Sequence, residues 1–290
     1  MTHYCWSERV GPGFFHSYEV ELLYEKTTPY QHMRIFHTPL WGRVLVLDGV
    51  VQLTEGDEHI YHEMMAHVPL MGRRRPAESV LIVGGADGGL LREVLTHDSV
   101  KRVVHVELDE AVLNACRKYL PDLCDGWDDP RVQLVIGDGA TYIREAARRG
   151  ETFDTILLDS TDPFGPSIVL FDKPFHEHLC ACLTDDGVAV RQAGLPLTMP
   201  DVTSFVLVTF RNVLPGVWTY RAPIPTYGDE MAFVAGSKDG SPIHEPRQKR
   251  KGRFYNPACH RAAFALPTWW QDLIDNCEGD RKMPVMVIVP

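Results

Sequence analysis

Carboxylates placed at the ends of apolar runs are the groups in this 290-residue chain with the most chemistry to offer. The run Leu81-Ile82-Val83 enters Gly84-Gly85-Ala86-Asp87-Gly88-Gly89 and then the helix-like Leu90-Leu91-Arg92-Glu93-Val94. A second run, Val103-Val104-His105-Val106, ends in Glu107, 18 to 23 residues beyond the glycines. Glycines let a backbone approach a ligand, and an acidic residue closing the second strand can hold ribose hydroxyls, which is the pattern of a nucleoside-binding βαβ unit. Asp87 inside the turn would repel a phosphate, so the turn suits a cationic ligand better than a dinucleotide. Asp138, in Gly137-Asp138-Gly139, serves either as a helix N-cap or as an acceptor for an adenine amino group, and the motif does not separate the two. Asp159-Ser160-Thr161-Asp162-Pro163-Phe164-Gly165-Pro166 follows the apolar Phe153–Leu158 and sets two carboxylates three residues apart. A structural turn needs at most one of them. Such a pair suits an amine: one carboxylate holds an ammonium, the other accepts a proton.

These groups need strands to carry them. From Ser79 onward, strand patterns at 79–84, 102–107, 132–137, 154–159 and 187–192 alternate with helical patterns at 88–96, 109–119, 139–148, 172–182 and 200–213. That alternation predicts an α/β fold with a parallel sheet covered on both faces, whose ligands sit beyond the carboxyl ends of the strands. Gly84, Glu107, Asp138 and Asp159 all fall at such ends. Before them, residues 18–54 alternate like antiparallel strands, and Asp48-Gly49 between Arg43–Leu47 and Val50–Leu53 is a two-residue hairpin signal. Asp57 to Leu70 reads as a helix stopping near Gly72. The expected division is 1–70, a small N-terminal antiparallel β domain with a connecting helix, and 71–290, a Rossmann-like domain. Residues 237–253, polar and basic, read as an exposed loop.

Several functions are disfavoured. The net charge of −10 argues against non-specific nucleic-acid binding and favours small cations. Seven cysteines without framework spacing predict reduced thiols, and with no signal-peptide pattern or membrane-length apolar run the expected location is cytoplasmic, with no membrane partner. The glycine turn lacks the Lys-Ser/Thr ending of a phosphate loop, and no Gly-x-Ser-x-Gly elbow is present. His62 and His67 resemble a zinc motif, but their spacing of five puts them roughly 140° apart on a helix, so no metal is expected there. Tyr61 and His62 are better placed as one edge of a pocket.

Together these stretches resemble the polyamine aminopropyltransferases, most closely the bacterial spermidine synthase group. The similarity is carried by Gly42-Arg43-Val44 through Gln52, Tyr61-His62-Glu63-Met64-Met65, the glycine turn with Leu91-Arg92-Glu93, Asp159-Ser160-Thr161-Asp162-Pro163, Ile224-Pro225-Thr226-Tyr227 and Tyr255-Asn256-Pro257-Ala258. The resemblance implies a doubly wound sheet of the class I methyltransferase type. It implies transfer of the aminopropyl group of decarboxylated S-adenosylmethionine to putrescine, releasing 5'-methylthioadenosine, with that donor as a co-substrate and no permanently bound cofactor. By the same match Gln31, His62, Gly84, Asp87, Glu107, Asp138 and Gly139 hold the donor: Glu107 the ribose, Asp138 the adenine, Asp87 the ammonium of the aminopropyl arm. Tyr61, Asp159, Asp162, Gln192 and Tyr227 line the diamine site, and Asp159 is the base. Its setting is expected to raise its pKa or align the amine closely, because an ordinary aspartate is a weak base for an amine. The resemblance further implies a homodimer or homotetramer built through the N-terminal β domain. The chain departs from the family at Ile168-Val169, where an acidic residue is usual, and at Asp229-Glu230, which could serve a longer or differently charged amine. The alternatives are therefore another acceptor (cadaverine, agmatine or spermidine), a methyltransferase, or a non-catalytic nucleoside-binding protein.

Overall fold

The computed structural model describes residues 4–11, 13–161, 163 and 165–277. It opens with a five-stranded antiparallel meander: β1 (Tyr4–Gly11), β2 (Phe14–Thr27), β3 (His32–Thr38), β4 (Gly42–Leu47) and β5 (Val50–Thr54). The β4–β5 hairpin turns at Asp48-Gly49, where both residues have positive φ, 49° and 82°. Right-twisted strands favour that turn, and Asp48 Oδ1 steadies it by accepting from the His32 backbone N–H at 2.7 Å. β1 is an addition to the expected strands.

The larger sheet has seven strands in the order β8-β7-β6-β9-β10-β12-β11. Five are parallel: β6 (Ser79–Gly84), β7 (Arg102–Glu107), β8 (Val132–Ile136), β9 (Phe153–Asp159) and β10 (Leu183–Gln192). The sheet continues past the expected strands with an antiparallel pair, β11 (Gly216–Ile224) and β12 (Asp229–Ser237). The strand order reverses between β6 and β9, and a crevice opens at such a point. This is the doubly wound, class I methyltransferase-type arrangement expected from the sequence.

Side-chain alternation sends the strands into two cores. Val80, Ile82, Val103 and Leu157 pack with α1 (Glu58–Gly72), α2 (Gly89–Leu95) and α3 (Glu110–Tyr119). Leu81, Val83, Val104, Ile156 and Leu158 pack with α4 (Gly139–Arg149), α5 (Lys173–Ala181), α6 (Pro200–Arg211) and α8 (Thr268–Asp275), while α7 (Pro257–Ala263) lies between α6 and α8 in sequence. Burial on both faces explains why these strands read as continuous apolar runs.

Helix α1 is buried on nearly every side, so its polar residues need partners. Glu63 finds them at the end of the segment expected to be an exposed loop and in the two residues that follow it. Its carboxylate accepts from the backbone N–H groups of Arg253, Phe254 and Tyr255 at 2.7, 2.9 and 2.6 Å. Ile243 is buried, and Arg247 donates from its backbone N–H to the Met71 carbonyl. Residues 237–253 are thus strapped over α1, a correction that follows from a buried carboxylate demanding donors. Glu63→Ala should cost about 3 kcal/mol by leaving these donors unsatisfied, and a lower urea midpoint at constant slope would register it.

Candidate functional site

A cleft of about 1430 Å³ opens at the carboxyl ends of the parallel strands, between the two sheets. It is lined by Gln31, Tyr61, His62, Gly84, Asp87, Glu107, Asp138, Gly139, Asp159, Gln192 and Tyr227, which gathers every residue that the resemblance assigned to the donor and diamine sites but one. Asp162 lies outside the described residues.

Asp87 occupies the turn between β6 and α2. Its Oδ1 accepts from the Gly89 backbone N–H at 2.8 Å and faces His62 Nε2 at 3.3 Å. His62 Nδ1 meets Glu58 Oε2 at 2.7 Å, and Glu58 in turn is paired with Arg92. An imidazole with a carboxylate on each side must donate from both nitrogens, so it is an imidazolium. Burial alone would lower its pKa, but Asp87 and Glu58 raise it well above the ordinary value. Burial likewise pushes the Asp87 carboxyl up, and the His62 charge outweighs it, leaving Asp87 below the usual range. Glycine at 89 is required by this contact: a Cβ there would lie 2.3 Å from the His62 ring. His67 faces a separate network, with Nδ1 3.0 Å from His97 Nε2. His62, Asp87 and Asp159 each offer one atom within 4.8 Å of the others. Because the imidazolium has no lone pair to give, the trio suits an organic cation held by carboxylates better than a transition metal.

Asp159 ends β9 in register with Gly84. Its Oδ1 accepts from the Tyr61 hydroxyl at 2.7 Å. Its Oδ2 is tucked against Gly85, where a Cβ would sit 2.9 Å away, and has no hydrogen-bond partner among the described residues. Burial first, and the nearby Asp87 charge second, raise the Asp159 pKa to about 6, against the opposing pull of His62 and Tyr61. The Tyr61 hydroxyl, buried beside that carboxylate, is held well above its usual pKa and stays a donor.

Glu107 ends β7, buried, with Oε1 accepting from the Asp109 backbone N–H at 2.8 Å. Burial pushes its pKa up to about 7. Asp109 caps α3 through Oδ1, while its Oδ2 accepts from Thr28 Oγ1 at 2.6 Å and Gln31 Nε2 at 3.1 Å. The smaller sheet is thereby tied to the Glu107 side of the cleft. Asp138 is the N-cap of α4, accepting from the Thr141 backbone N–H at 2.9 Å. At Gly139 a Cβ would meet Val83 Cγ1 at 2.4 Å, so glycine lets α4 begin directly against β6.

On the far wall, Gln192 donates to the Ser160 carbonyl at 3.1 Å and accepts from the Gly194 N–H at 2.8 Å. The Tyr227 hydroxyl donates to the Gln52 carbonyl on β5. Its short helical turn is stapled further by Asp57 Oδ2, which accepts from Thr226 N at 2.9 Å and Thr226 Oγ1 at 2.6 Å. Neither Asp229 nor Glu230 lines the cleft. Glu230 pairs across the β11–β12 hairpin with Arg221 at 2.5 Å, so these two are not positioned to receive an amine. Ile168 and Val169 are likewise exposed, and Ser167 and Leu170 face the cleft instead.

The family model for the spermine/spermidine synthase domain matches residues 58–244, and that for the spermidine synthase tetramerisation domain matches residues 4–55. The chain belongs to the spermine/spermidine synthase family. Among its relatives is the polyamine aminopropyltransferase of Thermoanaerobacter sp. (strain X514), 44% identical over 88% of this chain and 92% of the relative. That of Ruegeria sp. (strain TM1040) is 41% identical over 94% of this chain and 99% of the relative. Solved structures agree. A spermidine synthase in complex with the transition-state analogue AdoDATO superposes with a TM-score of 0.87 at 33% identity, covering 95% of this chain and 96% of that one. Spermidine synthase from Thermotoga maritima gives a TM-score of 0.86 at 32% identity, covering 95% of each chain. The protein is an enzyme of the polyamine aminopropyltransferase type.

Three residues of this family member escaped the sequence reading. Glu8 of β1 lines the cleft, buried, and its Oε1 accepts from the Val51 N–H at 3.1 Å. Asp109 links the two sheets. His105 lies buried under the glycine turn. No sequence spacing relates Glu8 to the cleft, and Asp109, two residues past Glu107, gains its linking role only through Thr28 and Gln31. The signal at His105 was an imidazole inside an otherwise apolar run.

Proposed function

We propose that the chain transfers the aminopropyl group of decarboxylated S-adenosylmethionine to putrescine, giving spermidine and 5'-methylthioadenosine. The observation that carries this is Asp159: a carboxylate with pKa raised to about 6, one hydrogen bond from Tyr61, and the Asp87–His62–Glu58 cluster beside it. The AdoDATO-bound spermidine synthase of the same fold supports it.

Asp87 takes the donor's ammonium, Glu107 its ribose hydroxyls, and Asp138 with Gln31 the adenine end. The cleft exceeds the ~300–1,000 Å³ of a single small-molecule pocket, leaving room for a second ligand. The acceptor amine arrives protonated, with a pKa of about 10 like that of lysine. With Oδ2 covered by the turn, Asp159 Oδ1 takes the amine proton on the lone pair not used by Tyr61. The freed nitrogen pair attacks the carbon beside the sulfonium, a C–N bond forms, and the C–S pair returns to sulfur. Glu8, at the β1 side of the cleft, supplies a carboxylate for the distal ammonium. Positioning contributes beside basicity, because Tyr61 fixes the carboxylate and the cluster fixes the donor.

The pH dependence follows in sign. Protonated Glu107 loses acceptor capacity for the ribose, so donor affinity should fall as pH drops through about 7. Protonated Asp159 cannot take a proton, so turnover should fall through about 6. Glu107→Gln should flatten the first limb and keep the second. A donor-affinity profile unaltered by that substitution would exclude Glu107 from ribose binding.

An acceptor panel read by mass spectrometry tests the substrate. Putrescine should be used most efficiently, and preference for cadaverine, agmatine or spermidine would reassign the acceptor. Self-association as a dimer or tetramer belongs to the same proposal. Tyr4, Phe14, Phe15, Leu22 and Leu40 are exposed on or beside the small sheet, in the segment that matches the tetramerisation domain. No helix among the described residues is long and apolar enough to cross a membrane.

A further inference from the structure

We propose that His105 and Trp127 are positioning residues that hold the glycine turn, and with it Asp87 and Asp159, in reactive register. The proposal rests on the aminopropyl-transfer reading of the cleft.

Gly84 ends β6 with φ of 85°, and the ladder that joins β6 to β7 stops one residue earlier, at Val83 and Val106. A part-buried carbonyl past the end of that ladder still needs a donor. His105 supplies it: the ring is fully buried, and Nε2 lies 2.6 Å from the Gly84 oxygen. The carbonyl can only accept, so Nε2 carries the proton. Nδ1 then must accept, and the Trp127 indole N–H donates to it at 2.9 Å. The two contacts leave one neutral tautomer, and burial lowers the His105 pKa to about 4, which keeps it neutral.

The same support reaches the rest of the turn. A Cβ at Gly88 would lie 2.8 Å from the Leu123 carbonyl and 3.2 Å from the Trp127 ring, so Trp127 underlies the far end. Cys124 Sγ donates to the Asp87 carbonyl at 3.3 Å. On the opposite side Gly84 is in register with Asp159, and a Cβ at Gly84 would fall 2.1 Å from the Asp159 carbonyl oxygen. Moving the Gly84 carbonyl therefore moves the donor turn and the base together. An apolar side chain would fill the interior of β7 without demanding two hydrogen bonds; the imidazole is useful there because it grips the turn.

The test uses His105→Leu, His105→Gln and Trp127→Phe in the full chain, with decarboxylated S-adenosylmethionine and putrescine as substrates. His105→Leu should lower kcat/KM for the donor by about tenfold or more while the acceptor KM stays near native, because misplacement of reacting groups costs rate steeply. His105→Gln, which keeps an N–H near the Nε2 position, should recover most of that loss. Nitrogen-15 NMR of the native protein should show His105 protonated at Nε2, and Trp127→Phe should weaken that signature along with donor turnover. A folded His105→Leu with native donor parameters, or a donor loss that Gln does not rescue, would overturn the proposal. So would an Nδ1-protonated ring. Should His105→Leu fail to fold, Trp127→Phe and the NMR tautomer decide. The tautomer is read without turnover, so an inactive native enzyme would refute the transfer reading separately.

Discussion

Asp159→Asn should lower kcat by about a thousandfold, near 4 kcal/mol of activation free energy, while donor affinity stays within a few-fold of native. The substitution preserves shape. Asparagine keeps an oxygen to accept from the Tyr61 hydroxyl, and its amide nitrogen takes the place of an Oδ2 that has no hydrogen-bond partner among the described residues. What disappears is the ability to take a proton from the acceptor. The raised pKa of about 6 sharpens this expectation, since it brings the carboxylate closer to the amine it must deprotonate than an ordinary aspartate would be. Single-turnover kinetics and donor titration measure the two quantities separately. Equal losses in turnover and donor binding would show that Asp159 holds substrate rather than accepting a proton.

Asp87→Asn should lower the preference for decarboxylated S-adenosylmethionine over S-adenosylmethionine by about tenfold to a hundredfold, the size of a lost charge-assisted contact of about 1.5–3 kcal/mol. The amide oxygen of the variant would still accept from the Gly89 N–H, so the turn survives. The charge that attracts an ammonium and repels a carboxylate does not. His62 would lose one of its two carboxylate neighbours but keep Glu58. Comparative titration with both nucleosides measures the ratio. An unchanged ratio would remove Asp87 from donor selection and reopen the methyltransferase alternative, since methyltransferases must accommodate the carboxylate that Asp87 is proposed to refuse.

Much of this site was legible because its residues follow strand ends, and strand ends are visible as apolar runs meeting glycine or aspartate. Gly84, Glu107, Asp138 and Asp159 were found in this way, and the parallel sheet brings them to one crevice. The Asp48-Gly49 hairpin was legible for a local reason: its backbone needs positive φ at both residues. Contacts made across elements were not legible. Glu8 reaches the cleft only because the small sheet lies over the larger one, and Asp109 reveals its partners only once Thr28 and Gln31 are opposite it. The segment 237–253 looked like a solvated loop by composition, yet Glu63 binds Arg253 and the two residues after it through three backbone donors that no side-chain pattern advertises. Asp138 shows the reverse case. Its capping role is fully local and observed, while the adenine role proposed for it depends on a ligand.

The central claim is aminopropyl transfer to putrescine, and the most direct test is to incubate the purified chain with decarboxylated S-adenosylmethionine and putrescine and weigh the products. Spermidine and 5'-methylthioadenosine should appear in equal amounts. Consumption of the donor without spermidine, or a methylated product from S-adenosylmethionine, would contradict the account.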